Sequence, residues 1–438
     1  MEPTKKITGE IQISSTTLKE VKENVKNISD FKEIIEKSFT QVTTEILNII
    51  LTGSINLDSS DIHIEPEETK AKLRIRIDGI LQDVLFFDFK IYKSLVSRIK
   101  LLSGLKLNVN DRPQDGRFSI LIDQLPIEVR ASSLPAEYGE SIVLRILNPK
   151  NLINVEDLGL REDLIEIFTK EITKPNGMII VTGPTGSGKT TTLYAILKKL
   201  NQPEVKIITI EDPIEYHLQG ISQTQVDPKR GYDFATGLRS LMRQDPDVIL
   251  VGEIRDLETA QIALQAALTG HLVLSTLHTN DAIGTISRLQ ALGENLNNIA
   301  PAINLVIAQR LVRTVCKNCV EFRKTSLEEF KKIEKNLNNV VFRFKNKIPE
   351  LSLSIKIPKA KGCKFCNFTG YKGRIGIFEF LLMDDEMKEF ILSSTLLSII
   401  ELKNKAIKKG MVSMRQDGFI KVLKGITTIE EIERVTAE

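Results

Sequence analysis

The chain has 438 residues, a formal net charge of +3 and 27% charged residues, so its charge indicates neither a nucleic-acid-binding nor a membrane-surface protein. Aromatic residues make up 5% and Trp is absent, which leaves few platforms for stacking single-stranded bases. No apolar run approaches the roughly 20 residues that span a bilayer, and the N-terminus has no apolar signal segment. These features predict a cytosolic protein of two or three domains.

The beginning of the chain is polar and weakly amphipathic. We expect residues 1–35 to form a variable tail, with a docking helix as the alternative. Asp30 is predicted to cap a firmer helix that runs from Phe31 to Leu51 and ends at Gly53. The N-terminal stretch is not expected to bury a core alone.

Residues 36–147 are predicted to form an α/β domain. The stretch KLRIRIDGILQDVLFF alternates apolar and polar residues on both sides of Asp78-Gly79, which is a strong hairpin signal. In SDIHIEP, the spacing places Asp61, His63 and Glu65 on one face of a strand, and we favour a solvated face over a functional site. Residues 148–159 are expected to be a linker.

The most specific motif follows the short apolar strand Met178–Val181 and precedes a predicted helix. It fits G-x-x-x-x-G-K-T, the pattern of a phosphate-binding loop (P-loop), whose glycines let backbone N–H groups surround a polyphosphate at a helix N-terminus. Lys189 is expected to reach the β- and γ-phosphates of ATP, and Thr190 to bind Mg²⁺. The predicted nucleotide-binding residues are Gly183, Pro184, Thr185, Gly186, Ser187, Gly188, Lys189, Thr190 and Thr191.

Residues 160–314 alternate apolar strands with helices, as a parallel α/β sheet does. Titratable residues follow the predicted strands, where such sheets bind ligands: Glu211, Glu253 and His278. The position that often holds a magnesium-binding Asp is Gly252. We therefore assign Glu211 to the magnesium side and Glu253 to the attacking water, while leaving open that the two roles are exchanged. Arg239 and Arg243 lie four residues apart on a predicted helix.

All four cysteines fall in two C-x-x-C pairs, which are Cys316 with Cys319 and Cys363 with Cys366. In a cytosolic protein this spacing favours a Zn²⁺ site over disulfides, with buried thiols or a redox pair as alternatives. We assign residues 315–380 to this zinc element, which is predicted to include a helix in SLEEFKKIEKNL. Residues 381–438 are expected to be helical, with a turn at Asp417-Gly418 and an N-cap signal at Thr427-Thr428.

Several motifs in order carry a resemblance to a known family. GPTGSGKTT, ITIEDPIE, VGEIRD and TGHLVLSTLHTNDA resemble the secretion ATPase superfamily. SDIHIEP, RPQDGR, AQRLVRTVC and GCKFCNFTGYKGRIGIFE are similar to the assembly ATPases of type II secretion systems and type IV pili. The resemblance implies a RecA-like P-loop motor preceded by a smaller PAS-like α/β domain, with a zinc-bound tetracysteine element and a helical C-terminus.

The resemblance also implies a function. It implies a cytoplasmic homo-hexamer that hydrolyses ATP with Mg²⁺ and is recruited to an inner-membrane platform protein to drive pilin or pseudopilin assembly. Arg130 and Arg145 would contact the nucleotide phosphates when the N-terminal domain closes, and Arg239 and Arg243 would act at the site or the subunit interface. A nucleic-acid or competence-related ring translocase on the same motor core, and a nucleotide-binding scaffold without hydrolysis, are the alternatives. No nucleic-acid partner is expected.

Overall fold

The computed structural model describes residues 9–338, 340, 351–393 and 397–437, which form two compact units. The first unit contains the described residues up to Asn151 together with residues 361–372. The second contains the described residues of 152–360 and 373–438. Two seven-stranded sheets surrounded by helices dominate the structure, which confirms the predicted α/β fold class. The domain boundaries given above stay predictions.

The first unit is built on a sheet with the strand order β1-β5-β6-β7-β2-β3-β4. Its strands are β1 (Glu10–Gln12), β2 (Asp61–Pro66), β3 (Ala71–Ile77), β4 (Ile80–Phe87), β5 (Gln114–Ile122), β6 (Leu125–Ala136) and β7 (Gly139–Leu147). Its helices are α1 (Ser15–Asn24), α2 (Ile28–Ser38), α3 (Thr43–Asn56) and α4 (Phe89–Leu102). The predicted hairpin is confirmed as β3 and β4, and both turn residues have positive φ, 51° at Asp78 and 82° at Gly79. These angles are those of the two-residue turn that an Asp-Gly pair favours.

The N-terminal segment differs from the expected tail and single helix. Strand β1 pairs with β5, and α1 and α2 bury apolar side chains in the core of the first unit. Asn27, not Asp30, caps α2 by accepting a hydrogen bond from the Asp30 N–H at 3.0 Å. Gly53 does not end the helix either, because it lies within α3, where an added Cβ would be 2.2 Å from the ring of Phe31. This glycine therefore serves close packing between two helices and not chain termination.

The second unit is built on a sheet with the order β10-β9-β11-β12-β8-β13-β16, and β14 and β15 form a separate two-stranded sheet. Its strands are β8 (Gly177–Thr182), β9 (Ile207–Glu211), β10 (Ser222–Gln225), β11 (Val248–Val251), β12 (Leu272–Leu277), β13 (Ile303–Val315), β14 (Glu321–Lys324), β15 (Lys356–Lys359) and β16 (Tyr371–Leu382). Its helices are α5 (Glu162–Ile172), α6 (Lys189–Leu200), α7 (Phe234–Leu241), α8 (Leu257–Leu268), α9 (Ile283–Ala291), α10 (Leu296–Ala302), α11 (Leu327–Leu337), α12 (Asp385–Ser393), α13 (Ile399–Lys409), α14 (Met414–Leu423) and α15 (Ile429–Thr436).

Strand β8, which lies inside this sheet, buries apolar side chains on both faces of the sheet. Met178 and Ile180 belong to one hydrophobic core, whereas the alternating residues Ile179 and Val181 belong to another. Side chains of a strand point alternately to opposite faces, so a run without polar residues requires helices on both sides. Five neighbouring pairs of strands in this sheet are parallel: β8–β12, β12–β11, β11–β9, β9–β10 and β8–β13.

The C-terminal region is helical, as expected, and Thr428 caps α15 by accepting a hydrogen bond from the Glu431 N–H at 3.3 Å. The expected turn at Asp417-Gly418 is wrong, because both residues lie inside α14. Gly418 packs against Ile432 of α15, and an added Cβ would be 2.6 Å from its side chain. Asp417 is fully buried and binds the side chains of Arg161 and Lys421. Among the described residues, no helix combines the length and the apolarity needed to cross a membrane.

Candidate functional site

Four segments that carry predicted site residues lie at the ends of four parallel strands of the second unit. The P-loop follows β8, Glu211 ends β9, Glu253 lies just after β11, and His278 comes directly after β12. Parallel strands end at the same edge of a sheet, and this edge is where such folds bind ligands. The fold thereby brings these segments to one edge, although they are far apart in sequence.

The loop between β8 and α6 has the shape that a phosphate requires. Gly183, Gly186 and Gly188 have φ values of 147°, 78° and 88°, a region that glycine adopts without strain. Helix α6 begins at Lys189 without a capping side chain, so its first N–H groups are not satisfied by a cap. Lys189 Nζ donates hydrogen bonds to the carbonyl oxygens of Gly183 at 2.8 Å and Pro184 at 3.2 Å. The ammonium group is therefore held over the loop.

Two further details fit an anion in this loop. A Cβ placed on Gly186 would meet no atom within 4 Å, so the loop opens to free space there. Ser187 Oγ is buried and has no hydrogen-bond partner within the described part of the chain. Thr190 and Thr191, which follow the lysine, are half-buried at the start of α6. Backbone donors, a lysine and hydroxyl groups at a helix N-terminus are the donor set that a nucleotide phosphate with Mg²⁺ requires.

Glu253 and His278 lie together beside the P-loop lysine. His278 Nε2 is 3.6 Å from Glu253 Oε2, and the other oxygen of Glu253 binds the guanidinium group of Arg255. Partial burial and the positive charge of Lys189 lower the pKa of His278 against the opposing effect of Glu253, so the imidazole is neutral at pH 7. Burial likewise lowers the pKa of Lys189, which Glu253 and Glu215 oppose. These pKa shifts show that Lys189, Glu253 and His278 share one electrostatic environment.

The hydrogen-bond partners of Glu211 differ from those of Glu253. Its side chain is 4% exposed and accepts hydrogen bonds from the hydroxyl of Tyr194, from Thr209 Oγ1 at 2.5 Å and from Gln223 Nε2 at 3.2 Å. Burial and the adjacent Glu211 carboxylate raise the pKa of Tyr194, so the phenol stays protonated and donates. Both oxygens of Glu211 are thus bonded to protein donors, which favours a structural role. Its predicted role as a magnesium ligand stays a prediction.

The predicted arginines fall into two groups. In the second unit, Arg239 in α7 pairs with Glu258 in α8, and Arg243 Nη1 donates to the Arg239 carbonyl oxygen at 2.9 Å. In the first unit, Arg130 in β6 and Arg145 in β7 are directly opposite each other in the sheet. Like charges in this position repel each other unless acids are near. Arg145 Nε lies 3.1 Å from Asp61 Oδ1, and Arg130 Nε lies 3.6 Å from Glu128 Oε1.

Two buried polar residues that support this edge of the sheet were not predicted from the sequence. Glu379 in β16 accepts a hydrogen bond from the Ala282 N–H at 2.9 Å, and burial raises its pKa. Ala282 directly precedes α9 and follows the loop that carries His278. Gln309 in β13 binds the P-loop by donating a hydrogen bond to the Ser187 carbonyl oxygen. A signal was present in both cases, because Glu379 is the single polar residue in GIFEFLL and Gln309 directly follows the apolar run LVIA.

The four cysteines form one cluster, in which all the Sγ atoms lie within 4.8 Å of one another. The Sγ atoms of Cys363 and Cys366 are 3.8 Å apart, far longer than a disulfide bond of about 2.05 Å. A tetrahedral zinc site with Zn–S bonds of about 2.3 Å has S···S distances of about 3.8 Å. Backbone N–H groups of Cys363 and Gly370 point at Cys366 Sγ at 3.2 and 3.3 Å, as they do toward thiolate ligands. The donor set fits Zn²⁺.

The chain is similar in sequence and in fold to known proteins. The family model described as "Type II/IV secretion system protein" matches residues 36–434. The "Type II secretion system ATPase E" of Vibrio cholerae serotype O1 is 44% identical over 93% of this chain and 78% of its own length. The "Type IV pilus assembly ATPase PilB" of Thermus thermophilus is 43% identical over 87% of this chain and 41% of its own length. The solved structure of the Legionella pneumophila ATPase DotB has a TM-score of 0.66 at 23% identity, covers 90% of this chain and 96% of its own, and supports the fold.

Proposed function

The chain belongs to the type II/IV secretion system protein family, and on that premise we propose that it is an ATP-hydrolysing motor that powers assembly of a type IV pilus or a type II secretion pseudopilus. The observation that carries the proposal is the juxtaposition of an open P-loop, its lysine, and the Glu253–His278 pair at one edge of the sheet. A glycine-rich turn that only packs a helix on a sheet has no need for these charged neighbours.

Each residue has a task that follows from its chemistry. Lys189 neutralises the β- and γ-phosphates, and the Thr190 hydroxyl would hold Mg²⁺, which would offset the negative charge of the phosphates. Glu253 orients and deprotonates the water that attacks the γ-phosphorus, which breaks the β–γ anhydride bond and releases ADP and phosphate. Burial and the charge of Lys189 lower the pKa of His278 and so favour the neutral imidazole, whose ring N–H donates a hydrogen bond to a γ-phosphate oxygen.

Finer features of the proposal rest on family membership and on the cysteine cluster. The chain is proposed to work as a homo-hexamer at the inner face of the cytoplasmic membrane, where a platform protein couples hydrolysis to the growing fibre. The four clustered cysteines are proposed to hold one Zn²⁺. Arg130 and Arg145 are proposed to complete the charge around the γ-phosphate, as arginine fingers do.

The test is phosphate release by the full-length chain, with nucleotide binding measured separately. Lys189→Ala should abolish productive ATP binding, and Glu253→Gln should keep ATP affinity but lower kcat by about 10²–10⁴, the usual contribution of a general base. Lys198→Ala is the matched control, because Lys198 is an exposed lysine in the last turn of the same helix. A wild-type chain that binds ATP without releasing phosphate would identify a scaffold, and normal turnover by Glu253→Gln would remove Glu253 from the reaction.

A further inference from the structure

Gln309 is a buried polar residue in the middle of strand β13. Its side chain is 2% exposed, and the three preceding residues Val306, Ile307 and Ala308 are fully buried. Burying an amide in apolar surroundings is costly unless both of its polar atoms are hydrogen-bonded. Both are bonded here. Gln309 Nε2 donates to the Ser187 carbonyl oxygen at 2.7 Å, and Gln309 Oε1 accepts from Thr192 Oγ1 at 2.7 Å.

The partners fix which way the amide is turned. A backbone carbonyl can only accept, so the atom that faces Ser187 must be the NH₂ group. The Thr192 hydroxyl then donates to the remaining oxygen. Gln309 therefore joins the last part of the P-loop to the first turn of α6, since Ser187 precedes and Thr192 follows Lys189. No other orientation of the side-chain amide satisfies both partners.

The backbone of β13 is also in close contact with the loop. Ala308 is opposite Thr182, the last residue of β8, so Gln309 is level with the start of the P-loop. A Cβ on Gly183 would be 2.4 Å from the Gln309 carbonyl oxygen, and a Cβ on Gly188 would be 2.8 Å from Gln309 Nε2. Both glycines thus lie against this one residue, one at each end of the loop.

The bond to Ser187 has a consequence for phosphate binding. The peptide group between Ser187 and Gly188 is planar and trans, so its C=O and N–H point in opposite directions. With the Ser187 C=O fixed on Gln309, the Gly188 N–H must point away from β13. Backbone N–H groups of such a loop are the donors that hold the phosphates. We propose that Gln309 is a positioning residue, which orients the Ser187–Gly188 peptide so that its N–H is ready to bind the nucleotide phosphate.

This inference rests on the proposed nucleotide binding and makes it more specific. A residue that only stabilises the sheet would change the melting temperature of the protein and leave its affinity for nucleotide alone. A residue that orients a phosphate donor must change the affinity for ADP, whose β-phosphate lies in the loop. It should leave the affinity for AMP nearly unchanged. The ratio of the two dissociation constants therefore separates the two roles.

Two variants and one matched control make the test. Gln309→Glu keeps the size of the side chain but places an oxygen against the Ser187 carbonyl oxygen, and Gln309→Met keeps its length without hydrogen bonds or charge. Asn304→Asp is the control, because Asn304 is a buried amide on the same strand that donates to the Asn176 carbonyl oxygen at 2.8 Å. That bond lies at the opposite end of β8, beside Gly177.

The measurement is the Kd of each full-length protein for ADP by fluorescent-nucleotide titration, with AMP by competition and melting followed by circular dichroism. We expect both Gln309 variants to raise the Kd for ADP about 10- to 100-fold, with a nearly constant Kd for AMP. Asn304→Asp should lower the melting temperature without changing the Kd for ADP. An unchanged Kd in folded Gln309→Met, or an equal rise in Asn304→Asp, would overturn the inference. A wild-type chain that does not bind ADP would instead overturn the proposed function, and the inference with it.

Discussion

Replacement of Glu211 decides between a magnesium ligand and a structural acid. The sequence placed this carboxylate at a strand end beside the P-loop, which is a common position for a metal-binding acid. The structure surrounds it with donors from Tyr194, Thr209 and Gln223. A carboxylate that already accepts three hydrogen bonds gains less free energy from binding a metal ion than one without such partners. We therefore expect Glu211 to support the site without binding Mg²⁺.

The magnitude follows from the donors that lose their partner. Tyr194 is 1% exposed and Thr209 fully buried, so Glu211→Ala removes the acceptor of two buried O–H groups. Each unsatisfied buried group costs about 1–3 kcal/mol, so the free energy of unfolding should fall by about 2–6 kcal/mol. Glu211→Gln keeps the volume and one acceptor oxygen, so it should cost about half as much.

The assay combines Mg²⁺ titration of ATP hydrolysis with denaturant unfolding of the same proteins. For Glu211→Gln we expect lower stability and a half-saturating Mg²⁺ concentration within about threefold of the wild type. Thr209→Val is the matched control, because it removes one of the hydrogen bonds without changing the carboxylate. Loss of a partner around a metal typically costs about 10- to 100-fold in metal affinity. A shift of that size or larger in Glu211→Gln would refute the structural role.

Three further predictions concern other parts of the chain. Protein purified without oxygen should contain one Zn²⁺ per chain by elemental analysis, and a serine at any one of the four cysteine positions should release it. Asp417→Ala should lower the free energy of unfolding by about 3–5 kcal/mol in urea titrations, because it leaves Lys421 buried without its acid and removes one of the two acids that bind Arg161. Arg130→Lys and Arg145→Lys should each lower kcat without recovery at high ATP concentration, since a lysine cannot reproduce the planar fork of a guanidinium group, and wild-type kcat in both would refute their role.

Signals that lie within a few residues of each other predicted the structure well. The Asp78-Gly79 turn and the strand–loop–helix around Lys189 depend on backbone angles that the local residues dictate. The structure reproduces both. The predictions made from glycines were wrong where the residues that contact the glycine come from elsewhere in the chain. Gly53 and Gly418 lie inside helices because a neighbouring helix packs against them, a reason that no local window contains.

The same distinction holds at the candidate site. The order of strands brings the ends of β9 and β11 to one edge, and this much follows from the alternation of strands and helices. The direction of each side chain does not follow from it. Glu253 reaches His278 and Arg255, whereas Glu211 turns into the core toward Tyr194. Ile210 pairs with Val251, so Glu211 is level with Gly252 and Glu253 lies one residue further along. The two glutamates therefore have different surroundings, and Tyr194 of α6 binds Glu211 and not Glu253.

The role of Gln309 cannot be predicted from a local motif, although its position in the strand gives a signal. Its partners Thr192 and Ser187 lie 117 and 122 residues away in sequence, so no motif includes all three. Its burial directly after four fully buried apolar residues is nevertheless informative, because a buried amide must find partners for both of its polar atoms. In a sheet whose strand β8 leads into a P-loop, a polar residue on the adjacent strand, level with the loop, has the loop backbone within reach. Such a residue is therefore a candidate for holding the loop in shape before any ligand arrives.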